Sequence, residues 1–164
     1  MVIIIMGVSG SGKTTIGQAL AAALHWGFSD ADEFHSPANV EKMKHGIPLT
    51  DEDRQPWLRS LRTAIEQWKR NEPGHVLACS ALKESYRQIL GQDDPEVRFV
   101  YLQGGFDLIS RRLRERKSHF FTPALLRSQF DALENPNDAL VVDVSKEPQE
   151  IVSTILETIT TRKK

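Results

Sequence analysis

The chain has 164 residues, room for one domain around one sizeable core. Its 21 basic and 22 acidic residues leave a net charge of −1, which argues against the broadly basic surface that non-specific nucleic-acid binding needs. A single cysteine, Cys79, excludes a disulfide framework within the chain and favours a reducing compartment.

The apolar start, Met1 to Val8, is too short to span a bilayer and is broken by Gly7. It also lacks the basic leader and small-residue cleavage site of a signal peptide. A soluble, cytoplasmic protein with no membrane or nucleic-acid partner is expected. Val2–Met6 reads as a strand buried on both faces. Residues 14–24 read as a helix, with Ile16, Leu20 and Leu24 on one face. Residues 26–29 read as a short second strand. Trp57 to Arg70 is a helix with Leu58, Leu61, Ile65 and Trp68 at helical spacing. Thr50 and Asp53 can cap its approach, and Pro56 suggests a kink or a late start. His75–Cys79, Val97–Leu102 and Ala139–Val144 read as further strands. Helices are expected over 85–90 and 106–116, from Thr122-Pro123, and after Pro148. Strands alternating with helices imply an α/β fold with a mostly parallel sheet. Ligands then bind beyond the carboxyl ends of the strands.

The first such end carries Gly7-Val8-Ser9-Gly10-Ser11-Gly12-Lys13-Thr14, followed by Thr15. This is G-x-x-x-x-G-K-[ST] between a strand and a helix, the context the motif requires. Its glycines let backbone N–H groups close on phosphate oxygens, and the helix adds its positive end. Lys13 can reach the β- and γ-phosphates of ATP, and the Thr14 hydroxyl can ligate Mg²⁺. A GTPase switch loses its weight, because no glycine has an Asp three positions before it and no N-K-x-D occurs. A compact kinase fits the length.

A kinase also needs a carboxylate near the acceptor hydroxyl. The second strand ends in Asp30-Ala31-Asp32. Asp32 is the candidate base, and it also suits a Mg²⁺-bound water. Asp30 stands evenly between a turn cap and the cleft.

Further along, the residues resemble the gluconate kinase family. The resemblance runs through Asp30–His35, Asn39–Met43 and Gly46–Leu58, through Cys79–Lys83 with Tyr86-Arg87, and through Arg116–Phe121. It implies a P-loop kinase fold related to shikimate kinase: a five-stranded parallel sheet in the order 2-3-1-4-5, one domain over 1–164, and a short lid about 114–122. It also implies transfer of the ATP γ-phosphoryl group to the 6-hydroxyl of D-gluconate, and a homodimer. The family often has Gly where this chain has Ala31, and more basic residues where it has Ser36-Pro37-Ala38.

For an anion rich in hydroxyls, Arg54 is the candidate for the carboxylate or the acceptor end. A surface ion pair with Asp51, Glu52 or Asp53 is its alternative. Ser80, Lys83 and Arg87 follow the third strand and can meet substrate; for Lys83 and Arg87 a solvated helix face is the alternative. Arg112 and Arg116, four residues apart, can present one face to the phosphates, with Arg116 as the clamp. His35 and His119 are further substrate candidates. Cys79 reads as buried and inert. A shikimate- or nucleotide-type kinase and a non-catalytic ATP-binding module are the other readings.

Overall fold

A computed structural model of the chain describes residues 1–116 and 122–161. Five strands form one sheet: β1 Val2–Met6, β2 Gly27–Asp30, β3 His75–Ala78, β4 Val97–Gln103 and β5 Leu140–Asp143. Their order is β2-β3-β1-β4-β5, and every pairing is parallel. This is the order that the resemblance implied.

The centre of the sheet explains the apolar run at the start of the chain. All five residues of β1 are buried, because successive side chains enter opposite cores. Val2, Ile4 and Met6 face helices α3 (Asp51–Asn71) and α4 (Glu84–Leu90), against Leu58, Leu61, Ile65 and Leu90. Ile3 and Ile5 face α1 (Lys13–Leu24) and α7 (Pro148–Thr161), against Ile16, Leu20, Ile151 and Ile155. A third, smaller core joins Val8, Leu82, Ile109 and Leu126, under α5 (Phe106–Glu115) and α6 (Pro123–Ala132).

Two stretches differ from the sequence reading. α3 starts at Asp51, not at Trp57, and runs through Pro56. Thr50 Oγ1 accepts from the Asp53 N–H at 3.1 Å, and Asp53 returns a carboxylate to the Thr50 N–H at 2.9 Å. This closed capping box starts the helix, and Pro56 then removes only the one bond to the Glu52 carbonyl. An unexpected helix, α2 (Pro37–Lys44), precedes it, with the Ser36 hydroxyl capping the Asn39 N–H. Ala31 carries no strain: it opens a 3₁₀ turn over Ala31–Phe34, and among the described residues only His25 and Ala81 have positive φ without being glycine.

The register aligns the carboxyl ends of the strands. Ala78 lies beside both Ile5 and Asp30, and Met6 lies beside Tyr101. The loops that follow β1, β2 and β3 therefore meet at one edge, where the candidate residues gather.

Candidate active site

β1 leads directly into the phosphate loop. Gly7 donates its N–H to Ser80 O at 3.3 Å, tying the loop to the end of β3. A Cβ on Gly7, whose φ is 150°, would stand 2.7 Å from Ser11 Oγ and 3.0 Å from Leu102 O. Gly10, at φ 78°, has no room for a Cβ either: it would sit 2.7 Å from Leu113 Cγ of α5. The loop is thus wound tightly and pressed against α5. Gly12 caps α1 with left-handed backbone, so the free N–H groups of Lys13, Thr14 and Thr15 open onto the cleft with the helix's positive end. Ser11 is buried, and its Oγ has no partner among the described residues.

Lys13 folds back across the loop, and its Nζ donates to Val8 O at 3.0 Å. Burial pushes its pKa down, and Arg116 adds to that; the charges of Asp32 and Asp30 oppose it. The ammonium is held in a dry place between acidic groups, which suits an anion reader.

The acidic partners come from the end of β2. Thr14 Oγ1 donates to Asp30 Oδ2 at 3.0 Å, and Asp30 Oδ1 accepts from the Asp32 N–H at 3.0 Å. Asp30 therefore takes both roles that the sequence left open, capping the turn and facing the phosphate loop. Thr14 meets Asp30, not the Asp32 that was expected as its metal-site partner. The turn between them is pinned by Trp57, whose Nε1 donates to Ala31 O at 2.8 Å. The Asp32 carboxyl keeps an open face, but desolvation and the Asp30 charge push its pKa up, against the pull of Lys13. A hydroxyl beside a carboxylate is a hard-oxygen pair, the donor chemistry Mg²⁺ takes alongside phosphates and water.

On the far side of Asp32, α3 and α4 build a second cluster. Arg54 donates from Nη1 to Leu49 O at 2.8 Å and to Tyr86 Oη at 3.1 Å. Its alternative reading as an ion pair with the neighbouring acids is not what forms. Asp51 is held by Tyr86 and by Lys83 Nζ at 3.0 Å, and Asp53 by Lys42 at 2.9 Å. Lys83 is therefore already paired. His35 stacks on Trp57 with ring centres 4.3 Å apart, and burial with the nearby Arg54 charge lowers its pKa to about 4, so it is neutral at pH 7.

Arg87 is neither a solvated side chain nor open to the cleft. It is 2% exposed, and its Nη1 donates to Ala81 O and Leu82 O at 2.9 and 3.0 Å. It braces the loop after β3 from behind, where Ala81 has φ 45°. Ser80 lies at the start of that loop, half-buried, with its carbonyl on Gly7. Cys79 is buried, and desolvation pushes its thiol up to about 12, so it is no nucleophile.

Beside the phosphate loop, a cavity of about 370 Å³ is lined by Gly10, Gly12, Thr15, Arg112, Arg116 and Lys146, among others. Arg112 is committed to one wall, donating from Nη2 to Val144 O at 2.6 Å just past β5. Arg116, at the end of α5, is exposed at the rim. His119 and the rest of 117–121 lie outside the described residues.

Sequence reasoning did not find two contacts. Asp51 and Tyr86 sit thirty-five residues apart and meet only through the packing of α3 on α4. Gln129 of α6 reaches Ser9 of the phosphate loop across 120 residues. Neither has a spacing signature.

A family model described as shikimate kinase matches residues 9–160. A probable gluconokinase of Dictyostelium discoideum is 47% identical, over 94% of this chain and 84% of that protein. The thermoresistant gluconokinase of Escherichia coli (strain K12) is 42% identical, over 95% of this chain and 91% of that protein. The crystal structure of a gluconokinase from Sinorhizobium meliloti 1021 superposes with a TM-score of 0.83 at 37% identity, covering 98% of this chain and 95% of that one.

Proposed function

The chain belongs to the gluconokinase family, within the fold group of shikimate kinase, and from that premise we propose how its own residues phosphorylate gluconate. The enzyme transfers the γ-phosphoryl group of ATP to D-gluconate, at the 6-hydroxyl, giving 6-phosphogluconate and ADP. One observation carries the site assignment: the 3.0 Å bond from Thr14 to Asp30, which brings the acidic end of β2 against the phosphate loop.

The amides of residues 7–15 and the start of α1 receive the polyphosphate. Lys13 leaves or shares its contact with Val8 O to meet the β- and γ-oxygens, and an arriving anion restores the proton affinity that burial lowers. The cavity between Thr15, Arg112 and Lys146 takes the rest of the nucleotide. Thr14 with Asp30, directly or through water, would hold Mg²⁺, which would supply neutralising charge for the polyphosphate. Asp32, with its raised proton affinity, orients the acceptor hydroxyl and takes its proton. Arg54, anchored by Leu49 O and Tyr86, presents its remaining donors to the sugar acid, with neutral His35 beside it. Ser80 borders this space, Lys83 is held to its wall by the pair with Asp51, and Arg87 supports their loop. Arg116 stabilises charge on the group in flight. Electrostatics and positioning supply most of the acceleration. No described helix is long and apolar enough to cross a membrane. A cytoplasmic homodimer completes the proposal.

Steady-state ADP release with gluconate, shikimate, nucleoside monophosphates or no acceptor tests it. Release that depends on gluconate is expected. Release driven by shikimate or a nucleotide, or unchanged by any acceptor, would overturn the assignment.

A further inference from the structure

Gln129 projects from α6 onto the crest of the phosphate loop. Its Oε1 accepts the Ser9 N–H at 2.8 Å, and its Nε2 donates to Ser9 Oγ at 3.4 Å. The Ser9 N–H belongs to the peptide unit that also carries the Val8 carbonyl. That carbonyl accepts Lys13 Nζ at 3.0 Å and, within the loop itself, the Ser11 N–H at 3.2 Å. One trans peptide plane is therefore gripped at both edges, by an amide side chain on one side and by the ammonium on the other.

The plane is rigid, so it turns as a unit. Any rotation that frees the Ser9 N–H also swings the carbonyl to which Lys13 is fastened. Donation from the N–H further polarises the carbonyl and strengthens its hold on the ammonium. The anchor of this arrangement does not drift. Val8 is 2% exposed and packs with Leu82, Ile109 and Leu126 of the third core, and Phe130, next to Gln129, packs against the same cluster. Just past the C-terminus of α6, the Glu134 N–H donates to Leu82 O at 2.8 Å, and Glu134 Oε1 accepts from the Glu84 N–H at 3.3 Å. One short helix and its following turn thus hold both the phosphate loop and the loop after β3.

We propose that Gln129 is a positioning residue for phosphoryl transfer: acting through the Val8–Ser9 peptide, it sets where the Lys13 ammonium stands. It touches neither reactant. The proposal rests on the reading of Lys13 as the γ-phosphate contact, and its test has one arm that does not.

In the unliganded protein, the ¹⁵N resonance of the Lys13 side chain reports its surroundings directly. Gln129→Met, close in shape but without the amide, shifts that resonance, while Gln129→Glu, which keeps an oxygen for the Ser9 N–H, shifts it less. In turnover, Gln129→Met lowers kcat by roughly ten- to a hundredfold, the scale of a misplaced catalytic group. KM for both substrates and the affinity for ADP·Mg²⁺ stay within about threefold. An unmoved Lys13 resonance overturns the proposal, and so does a normal kcat. So does a loss of ADP affinity matching the loss of rate, which would mean general damage to the loop. A wild-type protein that ignores gluconate would sink the acceptor assignment and leave the resonance to decide on Gln129.

Discussion

Asp32 and Asp30 share one turn and divide its work. Asp30 is tied to Thr14 and to the turn's own backbone, so its charge is committed to holding the turn against the phosphate loop. Asp32 has no such commitment, and desolvation with the neighbouring carboxylate raises its proton affinity. Asp32→Asn should therefore lower kcat by about 10²–10⁴, the range for loss of a general base, with little change in KM for gluconate. Steady-state kinetics checks this, and a change confined to KM would contradict it. Residue chemistry was legible where it is contiguous: the phosphate loop and the paired acids can be read straight from the chain. It was illegible where a role depends on a distant partner. Thr14 and Asp30 are sixteen positions apart. Arg87 looks like a surface cation until the Ala81 and Leu82 carbonyls are seen to need a donor at a positive-φ turn.

At the scale of elements, α3 positions one wall of the cleft, since it carries Arg54 and Trp57 and its start is fixed by the Thr50–Asp53 box. Thr50→Ala should destabilise the protein by about 0.5–2 kcal/mol, as other lost N-caps do, measured by urea unfolding at neutral pH. An unchanged midpoint would contradict it. Asp53 supplies the pH dependence. Its hydrogen bonds to the Thr50 backbone and to Lys42 hold its pKa at about 2, below the ordinary 3.8. A depressed carboxylate stabilises the fold fully above the unfolded value and loses that contribution as pH falls through the folded one. The gap between wild type and Asp53→Ala, which removes that carboxylate, should therefore narrow as pH drops from 3.8 toward 2. The strands and long helices were legible because their apolar periods are strong. α2 was not: Pro37–Lys44 has little apolar pattern, although Ser36-Pro37 is a cap followed by proline at the first helical position, a readable start.

For the whole molecule, the sheet places the loops after β1, β2 and β3 at one edge, with β1 between β3 and β4. Alternation of strands and helices made a parallel α/β fold legible, but the order of strands is not written in any local period. It entered through the family resemblance, and the registers between β1, β3 and β4 bear it out. On the proposed function, this edge runs one reaction, transfer of the γ-phosphoryl group of ATP to the primary hydroxyl of gluconate. Phosphorus NMR of the enzyme with ATP, Mg²⁺ and gluconate tests this most directly. The account predicts loss of the γ-phosphate signal matched by a single phosphomonoester resonance split into a triplet by the two protons of a primary carbon. Inorganic phosphate alone, or a doublet from a secondary alcohol, would contradict it.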